Sequence, residues 1–246
     1  MKRLATQREE TLDTLFQGRL KILQRTRGYR FSVDALLLAH FLKVHGSEKI
    51  VDLGTGNGII PLILASMYPS VRVSGLELQE EMVERALRSV KLNQLEGRVH
   101  IVQGDVCTVG KTFSPQSFDA AVCNPPYRGP GSGRINPDLE KRVARHEIHG
   151  SLRDFLRAGS YLLRQRGKMA VVYPAKRALD LLQVMRETGV EPKRMRWVHS
   201  FKGSEATLVL VEGIKSGRSE LMVMPPLVIY ARDGTYTPEV KDILGK

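Results

Sequence analysis

The stretch KIVDLGTGNGIIPLILASMY, residues 49–68, joins a short β-branched run to a longer apolar one through three glycines. Its first part, KIVDLG, reads as a buried strand, and GIIPLILASMY reads as the helix that follows. Asp52 stands at the end of the strand, with Gly54, Gly56 and Gly58 behind it and Thr55 and Asn57 between them. Glycines here let the backbone take positive φ angles and approach a ligand closely, while the helix start offers unpaired N–H groups to something anionic. A plain strand-to-helix turn has no need of three alternating glycines with an acid two residues ahead. The nicotinamide fingerprint G-x-G-x-x-G is the obvious rival. It is not met, because the third glycine arrives one residue early and Ile59 stands where that pattern needs glycine.

Outward from the turn the same rhythm continues. VRVSGLEL (71–78) is a second strand, and QEEMVERALRSVKLN (79–93) carries Met82, Val83, Ala86, Leu87 and Val90 at helical spacing with charges opposite. VHIVQGD (99–105) and FDAAVCN (118–124) are strands, SLRDFLRAGSYLL (151–163) a helix, GKMAVVYP (167–174) a fifth strand, and AKRALDLLQVMRETG (175–189) a helix stopped by Gly189. Strands alternating with helices imply a parallel sheet covered on both faces, since right-handed crossovers put the helices there. RMRWVHSF (194–201) and TLVLVEGI (207–214) are separated only by KGSEA, which predicts an antiparallel pair. PLVIYARDGTYTPEV (226–240) reads as a hairpin around Asp233-Gly234. RGPGSGRINPD (128–138), rich in glycine and proline, reads as a mobile loop.

Charged residues make up 26% and hydrophobic ones 42%, which fits a folded chain and excludes a disordered one. The net charge of +12 favours a polyanionic partner. The excess is heaviest at the amino end, where the first thirty residues hold eight basic side chains against three acidic ones. Further basic clusters are Arg164/Arg166/Lys168, Lys176/Arg177 and Lys193/Arg194/Arg196, each of which also suits a solvated face. Cys107 and Cys123 are not spaced as a metal or redox pair and suit a reducing compartment. His146, Glu147 and His149 evoke a zinc helix, but the second histidine comes three residues after the first instead of four, so no metal is expected. The amino end lacks a secretory leader, and no run reaches the ~18 to 20 apolar residues that span a bilayer. The expectation is a soluble, cytoplasmic protein, monomeric or homodimeric, with no membrane association.

The run VDLGTGNG resembles motif I of the class I S-adenosylmethionine-dependent methyltransferases. The resemblance implies that Asp52 and the turn Gly54, Thr55, Gly56, Asn57 and Gly58 surround the amino-acid part of the cofactor. It implies that Glu77, beside Leu78, accepts the ribose hydroxyls, and that Asp105 and Val106 meet the adenine amine and ring. Glu77 equally suits a helix start, and Asp105 a helix cap.

Asn124-Pro125-Pro126-Tyr127 ends the fourth strand and resembles motif IV of methylases that act on planar nitrogens: adenine N6, guanine N2 or a glutamine amide. An exocyclic amine conjugated to a ring is a poor nucleophile because its lone pair is delocalised. Two acceptors aimed at its hydrogens, the Asn124 side-chain oxygen and the Pro125 carbonyl, favour a pyramidal nitrogen able to attack a methyl group. Prolines hold that carbonyl in place, and Tyr127 can stack on the flat target.

Beyond these motifs, GRLKILQ (18–24), FSVDALLLAHF (31–41), NPPY followed by ARHE (144–147), EPKRMRWV (191–198), LVLVEGIKSG (208–217) and PPLVIYARDGTYTPEV (225–240) together resemble the bacterial tRNA1(Val) adenine-37 N6-methyltransferase family. That likeness runs over nearly the whole chain. It implies an α/β fold with a seven-stranded, mostly parallel Rossmann-like sheet, helices on both faces and a C-terminal hairpin. Residues 1–45 would form an N-terminal extension of a strand pair and a helix covering the cofactor site, and residues 46–246 the methyltransferase domain. Ser32, Asp34 and Asn124 would touch S-adenosylmethionine, and Arg27, Arg30, Arg128 and Arg134 would touch tRNA. The alternatives are methylation of ribosomal RNA at adenine N6 or guanine N2, methylation of a protein glutamine at N5, or an RNA-binding module on a vestigial cofactor fold.

Overall fold

The computed structural model describes residues 9–26, 33–127 and 150–245. Strands β1 (Glu10–Leu15) and β2 (Leu20–Arg25) form an antiparallel hairpin, followed by helix α1 (Val33–Phe41). Then come β3 (Lys49–Leu53), α2 (Ile59–Met67), β4 (Arg72–Glu77), α3 (Glu80–Leu92), β5 (Val99–Gln103), a 3-10 turn (Val106–Lys111) and β6 (Phe118–Cys123). After the next described residue, Gly150, follow α4 (Leu152–Leu162), β7 (Leu163–Pro174), a 3-10 turn (Ala175–Arg177) and α5 (Ala178–Glu187). The chain continues through β8 (Val190–Phe201), β9 (Ala206–Lys215), β10 (Met222–Val223), β11 (Leu227–Tyr230) and α6 (Pro238–Leu244).

Local chemistry sets the boundaries. Ser151 and Asp154 close a reciprocal capping box on α4, satisfying backbone donors at its start. Glu80 and Glu81 occupy the first turn of α3, where the helix dipole favours acids. Ala86 and Val90 face inward from α3, whereas Leu87 turns out at 46% exposure. Gly189, at φ 78°, carries the chain out of α5 in a conformation that side chains resist.

The main sheet runs β5–β4–β3–β6–β7–β9–β8, the seven strands expected, and is parallel except for β9, which is antiparallel to both neighbours. Two short strands, β10 and β11, add to the outer side of β8, so the sheet has nine strands among the described residues. On one face α1, α2, α3 and α6 bury a core with Ile50, Val73, Ala120 and Val172; on the other α4 and α5 pack on Val51, Leu53, Val171 and Val211. Both faces are covered, so the central strands are apolar throughout instead of alternating.

The C-terminal hairpin around Asp233-Gly234 forms as a short one. The turn at Asp233-Gly234 forms, with the Ala231 N–H donating to the Thr235 carbonyl at 2.8 Å. Its first arm, however, pairs parallel with β8, and its second is a single bridge, Tyr230 to Tyr236, before Pro238 starts α6. Proline at that position suits a helix start and cannot donate to a ladder.

Candidate active site at the carboxyl edge of the sheet

Chain order runs outward from β3 through β4 to β5, then returns to the other side of β3 at β6. This reversal opens a crevice beyond the carboxyl end of β3, where open α/β sheets hold ligands. Asp52 on β3, Glu77 at the end of β4, Asp105 after β5 and Asn124 after β6 all arrive there.

The glycine turn is built as its sequence demands. Gly54, Gly56 and Gly58 have φ of 72°, 57° and 81°, and the N–H groups of Gly54 and Thr55 donate to the Leu76 carbonyl at 2.9 and 3.0 Å. A Cβ on Gly54 would lie 2.9 Å from the Phe155 ring, and one on Gly75 would lie 2.8 Å from Thr55. Glycine at 75 therefore leaves room for Thr55 inside the crevice.

Asp52 is 1% exposed, and neither of its carboxylate oxygens has a hydrogen-bond partner. Burial pushes its carboxyl up to about 7; the nearby Thr55 hydroxyl opposes the rise without closing a hydrogen bond, and the Glu77 charge adds to it. The Thr55 hydroxyl and the Asn57 side-chain oxygen are likewise buried without partners. Four orphaned polar oxygens around one glycine turn are what a polar, cation-bearing ligand would satisfy. Glu77 is differently placed: one oxygen accepts from the Gly56 N–H at 2.8 Å and the other from the Gln79 N–H at 2.9 Å. Backbone donors thus fix its orientation and leave further lone pairs available to ribose hydroxyls. Asp105 caps the 3-10 turn, accepting from the Cys107 N–H at 2.8 Å. Val106 behind it is buried and Leu78 is 36% exposed.

At the mouth of β6, Asn124 is half-buried, Pro125 buried and Pro126 exposed. The Tyr127 hydroxyl donates to Asp34 of α1 at 2.8 Å, and its ring meets the Tyr173 ring edge-on at 5.9 Å. Arg177 donates to the Tyr127 carbonyl at 3.2 Å and lies 5.1 Å over the Tyr173 ring.

Residues 31–191 match the family model described as the methyltransferase small domain. The chain belongs to the methyltransferase small domain family. The class expected from the sequence, the S-adenosylmethionine-dependent methyltransferases, is the class found. Among relatives, a tRNA1(Val) (adenine(37)-N6)-methyltransferase of Tolumonas auensis is 26% identical over 85% of this chain and 86% of its own. One from Porphyromonas gingivalis is 28% identical over 90% and 89%. Among solved structures, a predicted O-methyltransferase from Agrobacterium tumefaciens superposes with a TM-score of 0.71 at 23% identity, covering 85% of this chain and 94% of that one. A geranyl diphosphate methyltransferase solved in complex with S-adenosylmethionine has a TM-score of 0.54 at 15% identity over 74% and 84%. These two share the fold.

In this small-domain methyltransferase the structure brings Asp34, Asp52, the turn 54–58, Glu77, Leu78, Asp105, Val106 and residues 124–127 to one edge of the sheet. Ser32, Arg27, Arg30, Arg128 and Arg134 lie outside the described residues, as do the loop 128–138 and the stretch from His146 to His149. Three neighbours of the site carry no motif. Phe155 packs on Gly54 from α4, Gln24 of β2 accepts from the Asn57 amide at a long 3.5 Å, and Arg177 holds the Tyr127 backbone. One of the basic clusters, Lys193/Arg194/Arg196, serves the fold. Arg194 is buried against Glu212 at 3.1 Å and over the Phe41 ring at 4.3 Å, and Arg196 grips Glu239 with two hydrogen bonds. Among the described residues no helix is long and apolar enough to cross a membrane.

Proposed function

We propose that the protein methylates the N6 amine of an adenine in tRNA, with S-adenosylmethionine as donor, in the cytoplasm. The observation that carries this reading is the adjacency of β3 and β6. It puts Asn124-Pro125-Pro126-Tyr127 one strand from a buried, unpartnered Asp52 and its glycine turn. The relatives' names favour adenine 37 of tRNA1(Val) as the target.

When bound, S-adenosylmethionine supplies a methyl group made electrophilic by its sulfonium. Asp52 and the turn 54–58 would hold its amino-acid end, Glu77 its ribose, and Asp105 with Val106 its adenine. Ser32 and Asp34, in the segment preceding the sheet, would cover it. The Asn124 oxygen and the Pro125 carbonyl accept the two hydrogens of the target amine, drawing its lone pair out of conjugation and onto the line of attack. No side chain is required as a general base, because the cationic nitrogen formed on methylation gives its proton to water. Tyr127, anchored by Asp34 and edge-on to Tyr173, offers the extruded base an aromatic wall. Arg27, Arg30, Arg128 and Arg134 would contact the RNA backbone.

The test supplies labelled S-adenosylmethionine with total tRNA, ribosomal RNA and release factors in parallel and maps the labelled position. Label on tRNA1(Val) adenine 37, lost when that adenine is replaced by guanine, is expected. Uptake by protein alone would overturn the reading in favour of a glutamine methylase. Asn124→Ala is expected to lose methyl transfer at least a hundredfold while keeping RNA affinity, in line with the loss of one positioned polar group at a reacting centre.

A further inference from the structure

Across β7, β9 and β8 from the site, the same edge of the sheet carries a row of aromatic side chains that the methyl-transfer chemistry does not use. Residues 197, 199 and 201 share one face of β8 by strand alternation. In the β8–β11 ladder His199 sits opposite Val228 and Phe201 opposite Tyr230. The Phe201 and Tyr230 ring centroids are 5.5 Å apart, and Tyr230 and Tyr236 stack at 5.3 Å with 21° between their planes. Phe201 is 45% exposed. Tyr230 and Tyr236 pack partly against the core under α1, α2, α3 and α6, and Trp197 partly against the core under α4 and α5. Trp197 and His199, with Lys176, Ala175 and Ala206, line an open depression of about 390 Å³. His199 is oriented by its Nδ1–H, which donates to the Ser204 carbonyl at 2.7 Å.

The charge around the row is mainly positive. Lys176, Lys202 and Arg232 are exposed on the 3-10 turn after β7 and on the loops leaving β8 and β11. Of the acids nearby, Glu205 lies in the turn after β8, and the Asp233 carboxylate is engaged by the Thr235 N–H and hydroxyl at 3.0 and 2.8 Å. The row also connects to the site. Arg177, next to Lys176, holds the carbonyl of Tyr127, and three strand spacings of about 4.8 Å separate β6 from β8, a distance that a short single-stranded segment covers.

We propose that Trp197, Phe201, Tyr230 and Tyr236, flanked by Lys176 and Lys202, form a stacking platform for unpaired RNA nucleotides adjoining the target adenine. Aromatic faces accept any base, and interleaved cations track the backbone. An acidic protein segment would use the lysines but has no planar bases to lay on the exposed Phe201 ring and its half-buried neighbours. The platform rests on the reading of the chain as an RNA methylase for its choice of ligand. In that reading it supplies the contacts that hold an anticodon loop open once one base has left the stack.

Trp197 is the chain's single tryptophan, so its emission reports directly on this surface. Titrating the full chain with an unmodified tRNA1(Val) transcript is expected to quench that emission. Phe201→Ala is expected to weaken binding and raise KM about tenfold, with kcat and cofactor affinity unchanged. Phe201→Trp should restore binding, whereas Phe201→Leu should not, since leucine keeps the apolar bulk without the π-face. Asn124→Ala should quench as wild type does. Unchanged emission at saturating RNA, or wild-type affinity in both Phe201→Ala and Tyr230→Ala, overturns the platform. Quenching by single-stranded RNA without methyl transfer to any RNA leaves the platform standing and removes the methylase reading, so the two failures are distinguishable.

Discussion

Asp52 has a folded-state carboxyl raised to about 7, with burial the main cause, against an ordinary value near 3.8. A group whose pKa is raised on folding binds its proton more tightly in the native state, so its contribution to stability falls as pH rises from about 4 to about 7. The full linkage over that interval is on the order of 4 kcal/mol. Asp52→Asn should therefore flatten the pH profile of the ligand-free protein and raise its stability at pH 8. The gain is expected at about 1 to 2 kcal/mol, less than the full linkage because the new amide has unpaired donors of its own. Denaturant midpoints at pH 5 and pH 8 check this, and parallel profiles for the two proteins would contradict it. The same exchange should weaken S-adenosylmethionine binding if, as proposed, the ionised carboxylate holds the cofactor's amino-acid end. At pH 6 binding should release about one proton from wild type and none from Asp52→Asn, read by calorimetry in buffers of different ionisation enthalpy. Gly54 shows the steric side of the same site. A Cβ there meets the buried Phe155 ring at 2.9 Å from a backbone already at φ 72°. Gly54→Ala is expected to cost about 1 to 3 kcal/mol in thermal or denaturant unfolding.

The β1–β2 hairpin reaches the glycine turn because α3 holds it. The Ser89 hydroxyl accepts from the Leu23 N–H at 3.0 Å, and the Asn93 side chain brackets the Lys21 backbone at 2.9 and 2.6 Å. Glu10, with its side chain only 3% exposed, bridges Arg85 and Arg88. Removing one partner of a buried pair leaves the other uncompensated, at about 3 to 5 kcal/mol unless the element moves away. Glu10→Ala should take the second route, releasing the hairpin. Exchange of the Leu23 amide should speed up while that of Val51 in the central sheet stays slow, and cofactor affinity should fall as Gln24 leaves Asn57. Preserved Leu23 protection would show that the ion pairs do not carry the docking. The elements themselves were legible where local pattern and final partner agree: β3 through α5 follow the alternation of short β-branched runs with helical spacing. β11 was legible as an arm of the Asp233-Gly234 hairpin, but its parallel partner, the outer edge of β8, was not, because that pairing is set by the whole sheet. Glu77 was legible from its place at the end of a strand. Gln24 and Arg177 were not, since they reach the site across 33 and 50 positions of sequence without a motif. For Asp105 the cap written in the sequence forms on the 3-10 turn.

Over the whole molecule, the net charge of +12 says less about an RNA partner than where the cations stand. Arg164 pairs with Asp119, Lys168 with Glu48 at 2.9 Å, Arg194 with Glu212 and Arg196 with Glu239, so these four are locally matched by acids and the excess falls on other cations. Position separates the basic residues further. Arg164 and Asp119 lie beside Lys49, at the amino edge of the sheet, whereas Lys176 and Lys202 lie at the carboxyl edge with Asn124. Each phosphate neutralised by a lysine releases condensed counterions, giving a slope of about −0.7 in log affinity against log salt for a single strand and about −0.9 for a duplex. If RNA is engaged by the carboxyl edge, Lys176→Ala and Lys202→Ala should each make that slope shallower by about one such increment. Arg164→Ala, which changes the net charge by the same amount, should leave the slope alone. Equal shifts from all three variants would mean that the RNA responds to overall charge and is not docked at the mouth of β6.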